Sequence, residues 1–242
     1  MSSNSFQIES LKLENISFSY ENNQPIFENM SFEFPMNQFV WVRAQQVGAG
    51  RSTLLQILAG LVPLQKGKYF INENDVNEMS FEEFLPWRLN IGYSFDFGGL
   101  LHNKTLFENL CLPLLYHKMT SVAEAAERVQ YHMEKMAIWR YRDHRPSAVQ
   151  GSVRKLACLI RPLLIYPQVL LLDDPSAGLT QELCLQYIDL IQEQRQKNQL
   201  KHIYISSLDE KLMSLIEHQE IFIDQGVLIH SVQNFEKKVV HL

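Results

Sequence analysis

A chain of 242 residues is long enough for one large α/β domain carrying an inserted subdomain, with a core that needs no staples. Its 27 acidic against 22 basic residues leave a formal charge of −5, which argues against the basic footprint of a nucleic-acid binder, so no nucleic-acid partner is expected. The N-terminal MSSNSFQIES has no apolar leader core, and the longest greasy stretch, Leu156–Leu172, is broken by Arg161, Pro162 and Pro167, which argues against a membrane span.

Leu11–Tyr20 (LKLENISFSY) alternates apolar and polar residues and reads as a strand. After the turn cluster Glu21-Asn22-Asn23-Gln24-Pro25, Ile26–Phe34 repeats the alternation, which predicts an antiparallel β layer. The apolar run Phe39–Val42 then leads into a glycine-containing turn, Arg51-Ser52-Thr53 and a helical run, Leu54–Leu58. Strand, loop and helix in that order make an anion site, because backbone N–H groups and a helix N-terminus point at one place. Against the phosphate-loop pattern G-x-x-x-x-G-K-[ST], Gln45 takes the first glycine position, Gly50 the second, Arg51 the lysine and Ser52 the hydroxyl. Gly67–Ile71 is a further strand, Ser80 with Glu83 starts a short helix, and Asn90–Phe95 is strand-like again.

From Asp96 to about Arg145 the pattern turns helical. Val122, Ala126, Val129, Met133 and Met136 fall at helical spacing behind a capping box, Ser121 with Glu124, and are expected to pack as core. This segment, 96–145, is read as a helical insertion between core segments 1–95 and 146–242. Val169–Leu172 ends in Asp173-Asp174-Pro175, as a fully buried parallel strand would. Leu183–Ile191 is an amphipathic helix, His202–Ser206 a strand, and Ile221–Ile223 and Val227–Ile229 a hairpin around Asp224-Gln225-Gly226. Gln233–Leu242 is expected to be a loosely held tail. Cys111, Cys158 and Cys184 match no zinc spacing and read as buried, reduced thiols. The fold class is α/β, a mixed sheet covered by helices, with ligands at the carboxyl ends of strands.

Four landmarks in order carry a resemblance: Tyr20 ahead of the P-loop, the P-loop itself, Arg161–Gly178 (RPLLIYPQVLLLDDPSAG), and the segment Val149–Val153 reached by counting back from Asp173. Together, over about Leu11 to Ile229, they resemble the ATP-binding cassette (ABC) ATPases. The resemblance implies the ABC-type P-loop fold, ATP and Mg²⁺ as ligands, and a set of residue roles. Tyr20 would stack on adenine. Gln45, Gly48, Ala49, Gly50, Arg51, Ser52 and Thr53 would surround the phosphates. Ser52, Asp173 and Asp96, the last at the Q-loop glutamine position, would attend the metal. Asp174 stands where a glutamate polarises the attacking water, and Ser207, with Leu208 the neighbouring option, where a switch histidine reaches the γ-phosphate. Gln150, Gly151 and Ser152 occupy the signature positions that meet a partner's nucleotide. A shifted reading, Ser147-Ala148-Val149-Gln150, keeps a Ser and a Gln but spoils the distance to Asp173. Thr180 replaces the D-loop aspartate and doubles as a helix N-cap.

The departures gather at γ-phosphate contacts. Arg51 is cationic but bulkier and planar beside a lysine, Gln45 is expected to restrict the loop, and Asp96 adds negative charge. Asp174 is shorter than glutamate by ~1.5 Å, and a misplacement of ~1 Å can cost on the order of 10²-fold in rate. The resemblance therefore implies an ATP-binding subunit with impaired hydrolysis. It would work in a head-to-tail dimer, a homodimer or a heterodimer with an intact subunit, docked on a transmembrane permease at the cytoplasmic face of the plasma membrane. The alternative is a pseudo-ATPase with a structural or regulatory role. Phe95–Leu101 and Leu215–His218 are also similar to the Mla/Mce-type lipid-trafficking ATPases, which places lipid transport ahead of amino-acid or lipoprotein export.

Overall fold

The computed structural model describes residues 6–20, 24–46, 48–96, 99–197 and 200–230, so the tail beyond 230 lies outside the described residues. Two sheets organise the chain. Strands β1 (Leu11–Phe18), β2 (Phe27–Glu33), β4 (Lys66–Ile71) and β5 (Asn74–Asp75) form an antiparallel sheet in the order β2-β1-β4-β5. Strands β3 (Phe39–Ala44), β6 (Ile91–Ser94), β7 (Val169–Asp173), β8 (His202–Ser206), β9 (Gln219–Asp224) and β10 (Val227–His230) form the second, in the order β10-β9-β3-β8-β7-β6. All its pairings are parallel except the β9–β10 hairpin at the edge.

The apolar runs of β3, β7 and β8 are continuous because both faces of this sheet are covered. Phe39, Trp41, Leu170, Leu172, Ile203 and Ile205 point into one core. There they meet α3 (Leu106–Tyr116), α4 (Val122–Lys135), α5 (Gly151–Leu163) and α6 (Gln181–Gln196). The alternate residues Val40, Val42, Leu171 and Tyr204 enter a second core with α1 (Arg51–Leu58), Trp87 of α2 (Phe81–Arg88) and the antiparallel layer. Helix α7 (Glu210–Met213) joins β8 to β9. Parallel register brings Val42 and Asp173 level with Ser206, and Ser94 level with Leu172. The carboxyl ends of β3, β6, β7 and β8 thus open on one side, and that is where the site forms.

Local signals hold well. Both expected capping boxes form, at Ser80–Glu83 and Ser121–Glu124, and a third joins Thr105 to Glu108. Thr180 caps α6, its side chain accepting the Leu183 N–H. In α4 the expected stripe needs correction at its N-terminal end. Val129, Met133 and Met136 are buried, but Ala126 is half-buried and Val122 is 71% exposed. The inward face starts instead at Ala125, one turn before Val129, and includes His132. All three cysteines are buried, and burial pushes the Cys111 and Cys184 thiols up to about 11.

Candidate nucleotide site

The α1 loop is built around Gly50. Its φ of 96° is left-handed, and an added Cβ would lie 2.4 Å from Ile26 Cγ2 and 2.9 Å from Phe27 Cζ. Only glycine fits there. No side chain caps α1 and its first turn holds no acidic residue, so its leading N–H groups face outward as an anion site. The Nη1 nitrogen of Arg51 is buried with no hydrogen-bond partner. A buried cationic donor without an acceptor fits a ligand that brings acceptors, and a phosphate oxygen is such an acceptor. Gln45 is exposed and its φ is not left-handed, so a side chain at the first glycine position carries no backbone strain of its own.

Ser52 lies in the first turn of α1, and its Oγ donates to Asp173 Oδ1 at 2.9 Å. The Tyr93 hydroxyl, from β6, donates to Asp173 Oδ2 at 3.4 Å. Burial pushes the Asp173 carboxyl above its usual range, aided by the charge of Asp96 and opposed by hydrogen bonds that include the one from Ser52. Asp174 is half-buried with a left-handed φ of 43°, and its N–H donates to Ser206 O at 2.8 Å. Its carboxyl is also raised, by burial first and then by Asp96, while Arg51 and Lys155 pull it down. Tyr20 packs edge-on against Phe18, with its hydroxyl 3.3 Å from Thr53 Oγ1 and donating to Gln56 Oε1 at 3.2 Å. Tyr20 meets α1 at Thr53 and Gln56, and α1 meets Asp173 through Ser52. The charge of Asp96 acts on Asp173 and Asp174, which gathers these residues around a cleft at the sheet's carboxyl edge.

Two predicted groups flank it, and the first, at α5, shares a pocket with Asp96 through Gly151, Ser152 and Lys155. Gln150 is the N-cap of α5, and it and Gly151 are exposed, with Ser152 half-buried behind them. No side chain caps this helix either, so it presents a second set of outward N–H groups. Arg154 braces the approach, its Nη1 donating to Val149 O at 2.8 Å and Pro146 O at 3.3 Å. Ser207 is 2% exposed, and its Oγ accepts the Asp209 N–H at 3.0 Å beside Ser176 Oγ at 3.5 Å. Its oxygen is engaged by Asp209 and Ser176, and the outward side chain at this corner is Leu208, 56% exposed.

The profile of the ABC transporter family matches residues 27–177, more than half of the chain. The chain belongs to the ABC transporter family. Among its relatives is the ABC transporter ATP-binding protein YtrE of Bacillus subtilis (strain 168), 26% identical over 209 residues, which are 86% of this chain and 89% of that protein. Another is the lipoprotein-releasing system ATP-binding protein LolD of Coxiella burnetii, 33% identical over 144 residues, or 59% of this chain and 62% of LolD. The ATP-binding cassette MJ0796, solved as a dimer in a post-hydrolysis state bound to ADP and Pi, superposes with a TM-score of 0.81 at 21% identity. That match covers 91% of this chain and 98% of the other and establishes the ABC cassette fold.

As an ABC chain, the protein offers oxygen donors suited to Mg²⁺. Among the described residues no group of three or more His, Cys, Asp or Glu could hold a metal. Magnesium seldom needs one, because it takes one or two protein oxygens and completes its shell with phosphates and water. Ser52 Oγ and Asp173, already in contact, fit that partial set.

Four residues of this site escaped the sequence reading. Tyr93 and Gln56 link Asp173 to Tyr20 through side-chain hydrogen bonds. Trp41 Nε1 donates to Ser207 O at 3.0 Å and holds the switch corner. Lys155 donates from Nζ to Asp96 O at 2.8 Å. One signal was available for Lys155: a charged side chain on the apolar face of a strongly amphipathic helix needs a partner.

Proposed function

We propose that the chain is the nucleotide-binding subunit of a bacterial ABC transporter that binds Mg-ATP and hydrolyses it slowly. The observation that carries the reading is the Ser52–Asp173 hydrogen bond at 2.9 Å, set beside a free α1 N-terminus and the unpartnered Arg51 Nη1. Tyr20 would receive the adenine. The α1 loop N–H groups and Arg51 would hold the phosphates, and Ser52, Asp173 and Asp96 would serve the metal. Mg²⁺ supplies charge neutralisation to the phosphates when bound. Slow turnover is supported by the short Asp174, whose carboxyl is raised by burial, and by the Ser207 hydroxyl bonded within its own loop. Calorimetry with Mg-ATP, paired with a phosphate-release assay, tests this. Micromolar binding with turnover far below an ordinary ABC ATPase is expected, and brisk turnover by the isolated protein would refute the impairment.

A second reading, a pseudo-ATPase acting as a structural or regulatory partner, draws support from Asp96, whose carboxylate sits at the site in place of a neutral amide. Absence of detectable ATP or ADP binding would favour it.

The same proposal extends to assembly. Segment 96–145 acts as the helical subdomain of the cassette, and the Gln150-Gly151-Ser152 end of α5 serves a head-to-tail partner's nucleotide. A groove of about 340 Å³ lined by Phe81, Leu85, Phe95 and Pro113, with Arg88 and Arg161 on the same wall, suits a helix end of a transmembrane permease. Phe81 on its rim is 72% exposed. No helix among the described residues is long and apolar enough to cross a membrane, so membrane association at the cytoplasmic face would run through that permease. Lipid is the favoured cargo on the sequence of Phe95–Leu101, part of which lies outside the described residues. Co-purification with membrane proteins, identified by mass, tests the permease and shows whether an intact second ATPase subunit is present.

A further inference from the structure

The buried face of α5 is apolar at Val153, Leu156, Ala157, Leu159 and Ile160, yet Lys155 lies on it with 7% of its surface exposed. An ammonium taken out of water is costly unless it is paired and hydrogen-bonded. Asp96 supplies both needs. Lys155 Nζ donates to the Asp96 main-chain O at 2.8 Å and sits 3.4 Å from Oδ1.

Asp96 is also one of three carboxylates at the nucleotide cleft, with Asp173 and Asp174, against the two nearby cations Arg51 and Lys155. A triphosphate tail adds further negative charge to that surplus. The neutral glutamine expected at this position creates no such conflict, so an aspartate here calls for a compensating charge, and Lys155 is placed to provide it.

We propose that Lys155 is a positioning residue that neutralises and tethers Asp96, so that a nucleotide's terminal phosphate can enter a cleft carrying an extra carboxylate. Lys155 lies about one helical turn beyond Gly151, so the same contact fastens the end of β6 to the helix that bears Gln150, Gly151 and Ser152. This inference rests on the nucleotide-binding reading above.

The test uses the full chain with Lys155→Gln, Asp96→Asn and the double variant. Without nucleotide, each single variant should lower the midpoint of thermal unfolding, and the double variant should lose less than the sum of the two. In EDTA, Lys155→Gln should weaken ATP binding by about fivefold to tenfold. Adding Asp96→Asn should return affinity to within about twofold of wild type, because the unbalanced charge is gone. Excess Mg²⁺ should shrink the Lys155→Gln deficit by screening the same carboxylate. Wild-type affinity in Lys155→Gln, or a double variant as weak as Lys155→Gln, overturns the proposal. If Lys155→Gln does not fold, Asp96→Asn alone decides: tighter ATP binding in EDTA supports the proposal and unchanged binding overturns it. Wild type that binds no ATP under either condition removes the nucleotide reading. The nucleotide-free cycle separates that result from failure here, since additive effects would show that Lys155 and Asp96 do not act as a pair.

Discussion

Ser52 and Asp173, 121 residues apart in the chain, meet at 2.9 Å where the first turn of α1 faces the end of β7. The contact orders two oxygen donors before any ligand arrives and removes one unsatisfied position from a buried carboxylate. Ser52→Ala should therefore act twice. It should destabilise the nucleotide-free protein by about 1 kcal/mol, the worth of one such hydrogen bond, measured by urea unfolding. It should also weaken ATP binding more in the presence of Mg²⁺ than in EDTA, measured by calorimetry.

Asp174 carries a conflict between stability and chemistry. Burial and Asp96 raise its folded pKa above the unfolded value of 3.8. The folded state then holds the proton more tightly, so the group favours folding at low pH and disfavours it once pH rises through the folded pKa. Asp174→Asn should raise the unfolding temperature at pH 7 by a few degrees at most, with the gain fading toward pH 4. Asp174→Glu restores reach and should raise phosphate release by up to about tenfold.

Gly50 has no tolerated replacement. Alanine would have to hold a φ of 96° with its Cβ 2.4 Å from Ile26 Cγ2. Gly50→Ala should cost about 2 kcal/mol or more and abolish ATP binding, because relief of the clash moves the loop. Chemical unfolding and calorimetry on the same preparation check both parts.

His202, the first residue of β8, is buried as the neutral ring. Its Nδ1 accepts the Asn37 N–H at 2.7 Å and its Nε2–H donates to Ile8 O at 3.0 Å. Burial lowers its pKa from 6.5 to about 4. The unfolded chain binds the proton more readily between those values, so this stability is fully present above about pH 6.5 and lost as pH falls toward 4. The loss is at most about 3 kcal/mol. His202→Gln should flatten the stability profile across that window, read from urea midpoints at successive pH values.

The sequence by itself determined what depends on neighbours in the chain. The β8 strand His202–Ser206, the caps at Ser80, Ser121 and Thr180, and the strand–loop–helix around Gly50 are local matters of alternation, side-chain acceptors and backbone freedom. Each could be read from a few adjacent residues. What only the tertiary structure decided depends on strand order and on where neighbouring elements begin and end. Val122 shared the spacing of its neighbours, yet as the first residue of α4 it is left exposed where the packing partners of that helix end. Ser207 stood in the switch position, yet its hydroxyl went to Asp209 and left Leu208 facing out. Lys155 found Asp96 across 59 residues because β6 lies at the sheet edge next to α5. A buried charge announces that it needs a partner, but only the folded chain supplies the partner's address.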